Sequence, residues 1–315
     1  VRGRSAPYAA VHETHIGVVF LVGDEAWKLK KPVDLGFIDL STVRRRREVC
    51  RREVELNRRL APDVYLGVAD LSGPDGSDRS AGSHAAGETE GPEPLVVMRR
   101  MPAERRLSTV VGTGEDLTGV VDRLARMLAD LHSRSERGPE IDAEATRDAV
   151  RARWTDSFTQ VRGLGVLPSA LLDEIEERTL EFLDGRAALF DRRIAEGRIV
   201  DGHGDLLAGD IFCLDDGPRV LDCLEFDDRL RRLDGLDDVA FLAMDLERLG
   251  AADLARRLLD GYAEFAADPA PAALRHHYVA YRAFVRAKVA ALRAAQNEPG
   301  SESAGTSTEE ARAHA

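Results

Sequence analysis

Between residues 203 and 228 the chain reads HGDLLAGDIFCLDDGPRVLDCLEFDD. Two apolar runs, IFCL and RVLDCLEF, flank Asp215-Asp216-Gly217, which is turn chemistry, so the segment predicts a loop followed by a β-hairpin. A hairpin folds the chain back on itself. Asp210, before the first strand, and Asp222, on the second, are therefore expected at one end of it, converging with His203 and Asp205. Two carboxylates so placed can share a divalent cation. Mg²⁺ prefers hard oxygen ligands, retains waters and often links one or two carboxylates to substrate phosphates, so the spacing suits a nucleotide-phosphate site better than a zinc hydrolase.

The rest of the chain is organised around this segment. Residues 16–31, IGVVFLVGDEAWKLKK, predict an early hairpin turning at Gly23-Asp24-Glu25. Residues 42–60 lack Gly and Pro and predict a helix capped by Ser41 or Thr42, with Val49, Val54, Leu56 and Leu60 as its apolar seam. A turn and strand follow at 61–71, and LVVMRRM at 95–101 reads as a buried strand leading into a connector. Residues 71–94 are crowded with Gly, Ser, Pro and acids and predict a mobile surface loop. After Met101 the pattern is helical: residues 117–135, a long segment at 167–197, and three runs between Asp237 and Gln296. The expected architecture is α+β, with a small strand-rich N-terminal lobe (residues 1–100, with the 71–94 insertion). A larger helical C-terminal lobe (101–295) carries the 203–228 hairpin, and a disordered tail occupies 296–315. A cleft between lobes is the default ligand site.

Composition narrows the function classes. With 44 Lys and Arg against 56 Asp and Glu, a net charge of −12, no general nucleic-acid or anionic-membrane surface is expected. The Arg-rich helix at 44–59 is interrupted by Glu48, Glu53 and Glu55 and reads as a solvated face. Cys50, Cys213 and Cys223 form no CxxC, and the amino terminus has no apolar signal core, so a cytoplasmic setting is expected. No GxSxG marks a serine hydrolase, and no scaffold sets two acids across a sugar.

HGDLLAGD followed by LDCLEF resembles the aminoglycoside phosphotransferase-like branch of the protein-kinase-like fold. VHETHIGVVFLVGDEAWKLKKPVDLGFID, REVELNRRLAPDVYLGV and DDVAFLAMDLE resemble segments of an uncharacterised phosphotransferase-like group, so the likeness runs from about residue 11 to residue 290. Some members of that group carry an additional P-loop kinase domain, for which 315 residues leave no expected room. The resemblance implies a bilobal fold, ATP and Mg²⁺ as cofactors, and phosphoryl transfer to a hydroxyl of a small metabolite such as a sugar or amino sugar; the alternative is a nucleotide-binding regulatory pseudokinase. It implies Asp205 as the catalytic aspartate, His203 as a residue holding its loop, and Asp210 and Asp222 as metal ligands. In EAWK, Lys28 is the implied phosphate anchor, with Lys30 on the same strand face as the alternative; Glu53 is its implied helix partner, with Glu48 as runner-up. Backbone groups of residues 97–105 would meet adenine, with Met98 or Met101 packing on it, and Thr14 or His15 would touch phosphates. His132 is expected to pack or hydrogen-bond rather than act as a base. The departures are Asp210, where the family has Asn, and Leu207, at an often polar position. Glu225, Asp227 and Asp228 would attract a cationic alcohol, and Asp234, Asp237 and Asp238 would attract one too or else cap or orient the following helix.

Overall fold

The structure, a computed structural model, describes residues 9–13, 16–34, 36, 38–71, 91–296 and 302–315. Its strands are β1 (Ala9–Glu13), β2 (Gly17–Val22), β3 (Glu25–Lys30), β4 (Tyr65–Leu71), β5 (Glu93–Arg99), β6 (Ile199–Asp201), β7 (Ile211–Leu214), β8 (Gly217–Val220) and β9 (Arg232–Asp234). Its helices are α1 (Val43–Asn57), α2 (Leu107–Val110), α3 (Thr118–Arg134), α4 (Pro139–Ala143), α5 (Arg147–Leu164), α6 (Ser169–Leu183), α7 (Ala187–Ala195), α8 (Gly235–Arg248), α9 (Ala252–Phe265), α10 (Ala272–Gln296) and α11 (Glu302–His314). The chain divides into two compact units, a sheet unit (1–106 with 210–228) and a helical unit (107–209 with 229–315).

The sheet unit is built on five antiparallel strands in the order β1-β2-β3-β5-β4. β2 and β3 form the expected hairpin, turning at Gly23, whose φ of 57° is the left-handed conformation such a turn uses. Because side chains alternate along a strand, Ala26, Lys28 and Lys30 share one face of β3. Thr42 caps α1, its hydroxyl accepting from the Arg45 N–H at 3.3 Å. The buried face of α1 comprises Val43, Arg46, Cys50, Glu53, Val54, Leu56 and Asn57, at helical spacing. Three of the seven are polar, so the expected apolar seam is only partly right: Val49 is half-buried, while Leu60 is buried beyond the helix end. Arg46 is satisfied by Glu93, at 2.5 and 2.7 Å, and by the Leu40 carbonyl.

β7 and β8 pair as the second hairpin, with Ile211 opposite Val220. Phe212 and Leu221 enter the core made by Cys50, Val54, Tyr65 and Val96. That burial assigns residues 210–228 to the sheet unit, correcting their expected place in the helical lobe. The second strand is also shorter than expected: it stops at Val220 because Asp222, with φ of 63°, turns the backbone out of strand geometry.

In the helical unit α8 is buried all round from Gly235 to Leu246, so it is the central helix. The segment 167–197 breaks into α6 and α7 at Gly185, whose φ is 72°. Arg193 on α7 is 3% exposed and bonds two buried carboxylates, Asp234 at 2.6 and 2.7 Å and Asp268 at 2.7 Å. Residues 302–314 are helical rather than disordered. Ser307, Ala311 and His314 form a buried seam on α11, and small or polar residues at i, i+4 and i+7 give no hydrophobic signal in the sequence. Most of the expected insertion, residues 72–90, lies outside the described residues, as do Thr14 and His15. Among the described residues no helix is long and apolar enough to cross a membrane.

Replacing Arg193 by Leu leaves two buried aspartates without their cation. The expected loss is about 3–5 kcal/mol in urea unfolding; an unchanged midpoint would show that the pairs contribute nothing.

Candidate functional site

On the sheet unit, Lys28 and Lys30 face α1. Glu53, at 0% exposure, receives both: Lys28 Nζ lies 2.9 Å from its Oε1 and Lys30 Nζ 2.6 Å from its Oε2. Glu48, the other candidate, is exposed and faces Arg44 at 3.5 Å. The two lysines then diverge. Lys28 Nζ is also 2.9 Å from Asp222 Oδ1, whose side chain is 51% exposed, whereas Lys30 is buried and pairs with Glu225. Lys28 is thus the lysine that reaches the solvent-facing carboxylate. Burial alone would lower the Lys28 ammonium, but Asp222, Glu53 and Glu225 raise it well above the usual lysine range. Burial alone would raise Glu53, and Lys28 and Lys30 overcome it and hold the carboxyl below the usual glutamate range. The adjacent Cys50 thiol is pushed up to about 12, chiefly by burial, so it stays protonated.

The turn at Asp222 is fixed by α1 and β4. Its N–H donates to the Tyr65 hydroxyl at 3.2 Å, and the Cys223 N–H donates to Asn57 Oδ1 at 2.9 Å. Asn57 in turn donates to the Glu53 carbonyl at 2.8 Å, tying the turn to the residue that holds Lys28. The Leu221 N–H donates to the Asp210 carbonyl at 3.0 Å, one pair beyond the β7–β8 ladder, so Asp210 and Asp222 occupy the open end of the hairpin as expected. Two hard carboxylates, one half-exposed, fit a cation that keeps waters and phosphate oxygens. Among the described residues no group of three or more His, Cys, Asp or Glu side chains is placed to cage a metal. Met98, opposite Ala26 and Tyr65 in the sheet, and Met101 are half-buried against the core cluster.

In the helical unit the His203–Asp205 loop hangs from one carboxylate. Asp238, at 0% exposure on α8, accepts from the His203 N–H at 2.6 Å and the Gly204 N–H at 2.9 Å, and lies 3.1 Å from His132 Nε2. Burial alone would raise this carboxyl, but His132 and then His203 hold it well below the usual aspartate range. His132 is fixed in turn by the Tyr262 hydroxyl at 2.9 Å, so it is the hydrogen-bonding residue expected. Asp245, two turns further along α8, accepts from the Ala208 N–H at 2.9 Å. A Cβ on Gly202 would run into the Asp238 carboxylate, which accounts for glycine ahead of the loop. His203 is buried, and its Nδ1 is 3.4 Å from the Asp205 N–H; the Asp205 side chain is half-buried.

Comparison with solved structures identifies the fold. A choline kinase of Cryptosporidium parvum Iowa II superposes with a TM-score of 0.52 at 12% identity, covering 98% of this chain and 89% of that one. The chain has the protein-kinase-like fold. An ADP-bound aminoglycoside phosphotransferase superposes with a TM-score of 0.48 at 11% identity, over 98% of this chain and 95% of its own. No family model matches the chain. Uncharacterized proteins of Mycobacterium tuberculosis H37Rv and Mycobacterium bovis are each 48% identical over 295 residues, 93% of this chain and 57% of theirs. The chain therefore spans little more than half the length of the curated relatives it matches.

Within this kinase-like frame, sequence patterns did not mark Asn57, Tyr65 or Asp245. Asn57 lies four residues from Glu53 on the same helix face, a spacing that could have revealed it. Glu225 changes role. It is consumed by Lys30, at 7% side-chain exposure, and is not a free acid awaiting a cationic substrate. Asp234 caps α8 through the Leu236 N–H at 2.9 Å, and Asp237 pairs with Arg282 at 2.7 Å, so both are structural.

Glu53→Gln should cost about 3–5 kcal/mol at pH 7. Because the folded carboxyl is depressed, its contribution is complete above the free glutamate value of about 4.3 and lost as pH falls through the folded value. Urea titrations of both proteins should show a constant gap from pH 6 to 8 that closes only in stronger acid. Asp238→Asn should speed amide exchange at His203 and Gly204 by roughly tenfold or more, as charge-assisted bonds are lost; unchanged protection would mean another group holds the loop.

Proposed function

We propose that the chain is an ATP- and Mg²⁺-dependent phosphotransferase that acts on a hydroxyl of a small metabolite. The observation that carries this reading is Lys28, held by buried Glu53 and at 2.9 Å from Asp222. A preorganised ammonium beside a half-exposed carboxylate is what a nucleotide phosphate and its cation require. Lys28 anchors phosphate oxygens, while Lys30, spent on Glu53 and Glu225, braces the strand. Asp210 and Asp222 would hold magnesium, which when bound supplies charge neutralisation on the phosphate oxygens. Asp205 orients the acceptor hydroxyl and takes its proton late, and Asp238, with His203, keeps the loop backbone in place. Met98 and Met101, on and just beyond the strand paired with β3, supply an apolar surface for adenine.

Sugars, amino sugars and amino alcohols are the substrate classes to screen, the last because a fold neighbour is a choline kinase. Asp210, where the resembling family has Asn, favours a second reading, a nucleotide-binding pseudokinase. Two acids facing a triphosphate without cation repel it, so nucleotide affinity should fall at least tenfold when magnesium is chelated; equal affinity with excess chelator would remove Asp210 and Asp222 from the site. An ATP-consumption screen with product identification separates enzyme from pseudokinase. Asp205→Ala should keep nucleotide binding and lower turnover by about 10²–10⁴-fold; full turnover in that variant would overturn the role of Asp205.

A further inference from the structure

In the helical unit α3, α8 and α9 meet at one buried imidazole. His132 of α3 has the Tyr262 hydroxyl of α9 at 2.9 Å from Nδ1 and Asp238 Oδ2 of α8 at 3.1 Å from Nε2. The protons in this row can be placed by asking what each group is able to donate. Asp238, held well below the usual aspartate range, is a carboxylate and only accepts, so Nε2 carries a proton. Burial, and Asp234 after it, push the Tyr262 hydroxyl well above the ordinary tyrosine range, so that hydroxyl keeps its proton as well. Tyr262 is buried, and among the described residues His132 Nδ1 is the hydrogen-bond partner its hydroxyl has. Nδ1 therefore accepts; a proton placed on it would leave the tyrosine O–H buried with no acceptor.

Two glycines make room for the row. A Cβ on Gly202 would run into Asp238 Oδ2, and a Cβ on Gly235, the first residue of α8, would run into the Tyr262 hydroxyl and lie 2.9 Å from His132 Nδ1. Gly235 does not have the left-handed backbone that would itself call for glycine, and glycine is a poorer helix residue than alanine. The space needed by the Tyr262–His132 bond accounts for it.

We propose that Tyr262 is a positioning residue for phosphoryl transfer, acting through His132 to fix the Asp238 carboxylate on which the Asp205 loop hangs. The catalytic consequence rests on the phosphotransferase reading; the relay itself rests on hydrogen-bond geometry. With both ring nitrogens engaged, the imidazole cannot turn without losing two partners. The oxygen it holds, Asp238 Oδ2, is the one that accepts from the His203 N–H at 2.6 Å, and Oδ1 is thereby directed at the Gly204 N–H at 2.9 Å. Asp205 follows directly, its N–H 3.4 Å from His203 Nδ1, so a tilt of the carboxylate displaces the backbone that carries the Asp205 side chain.

Tyr262→Phe removes one hydroxyl and keeps the ring. In histidine-selective ¹H–¹⁵N spectra of the full chain without nucleotide, with His132 assigned through His132→Gln, the wild type should show a proton on Nε2 and an accepting Nδ1, and Tyr262→Phe should shift the Nδ1 resonance. Amide exchange at His203 and Gly204 should rise roughly threefold or more in the variant, with the amides of α5 unchanged. In turnover the variant should lose about tenfold in kcat and keep its KM for ATP. Should Tyr262→Phe not fold, Gly235→Ala crowds the same bond while keeping the hydroxyl and should give the same loop response. A wild-type ring with a proton on Nδ1, or unchanged exchange at His203 and Gly204 in the folded variant, overturns the relay. So does a rise shared equally by α5, which a merely structural loosening would produce. Full kcat alongside faster loop exchange overturns the positioning role. A wild type that transfers no phosphoryl group to any acceptor overturns the phosphotransferase reading and with it the catalytic role of Tyr262, while the ring and exchange measurements, made without nucleotide, decide the relay by themselves.

Discussion

A carboxylate taken out of water survives as an anion only where cations or N–H groups answer it, and Glu53 is the point at which this requirement organises the sheet unit. Two lysines two residues apart on β3 can reach it because a strand returns to the same face at that interval. The helix register of α1 follows, since Glu53 must face the sheet together with Cys50 and Val54. Asn57, one turn on, then fastens the turn that carries Asp222. Asp238 plays the corresponding part in the helical unit, where its charge is distributed over two loop amides and His132. In the helical unit the irregular segment hangs on the buried anion itself, and in the sheet unit it hangs on Asn57, one turn along the helix that carries the anion, so each unit combines a rigid frame with a loop of fixed shape.

The frame was legible in the sequence where periodicity was clean. The β2–β3 and β7–β8 hairpins, α1, α3 and the three late helices follow from spacing and turn residues, and the pairing of Lys28 with Glu53 follows from the family resemblance. What escaped did so for physical reasons. α1 buries Arg46, Glu53 and Asn57, so a purely apolar seam misplaces its face. The β1 edge strand is mostly exposed and carries little alternation, and α11 packs through Ser307 and Ala311 rather than large apolar side chains. The hairpin's membership of the sheet unit depends on Phe212 and Leu221 meeting Cys50 and Tyr65, contacts between segments more than a hundred residues apart in sequence. Motifs locate residues along a chain; they do not say which unit's core those residues complete.

Counting acids is a poor guide to substrate charge in such a chain. The net charge of −12 includes Glu53, Glu225, Asp234, Asp237 and Asp238, each already committed to a lysine, an arginine, a histidine or a backbone amide. A cationic substrate would have to be recognised by acids outside this set.

Asp222 occupies a backbone conformation, φ of 63°, that a glycine would adopt without penalty and an aspartate tolerates at a cost of about 1 kcal/mol. The carboxylate beside Lys28 is thus maintained against local conformational preference. Local backbone preference and the carboxylate pull in opposite directions at this one residue: selecting for a relaxed backbone alone would favour Asp222→Gly and erase the partner that Lys28 meets at 2.9 Å, so a stabilised descendant of this chain has to be selected with the position held fixed.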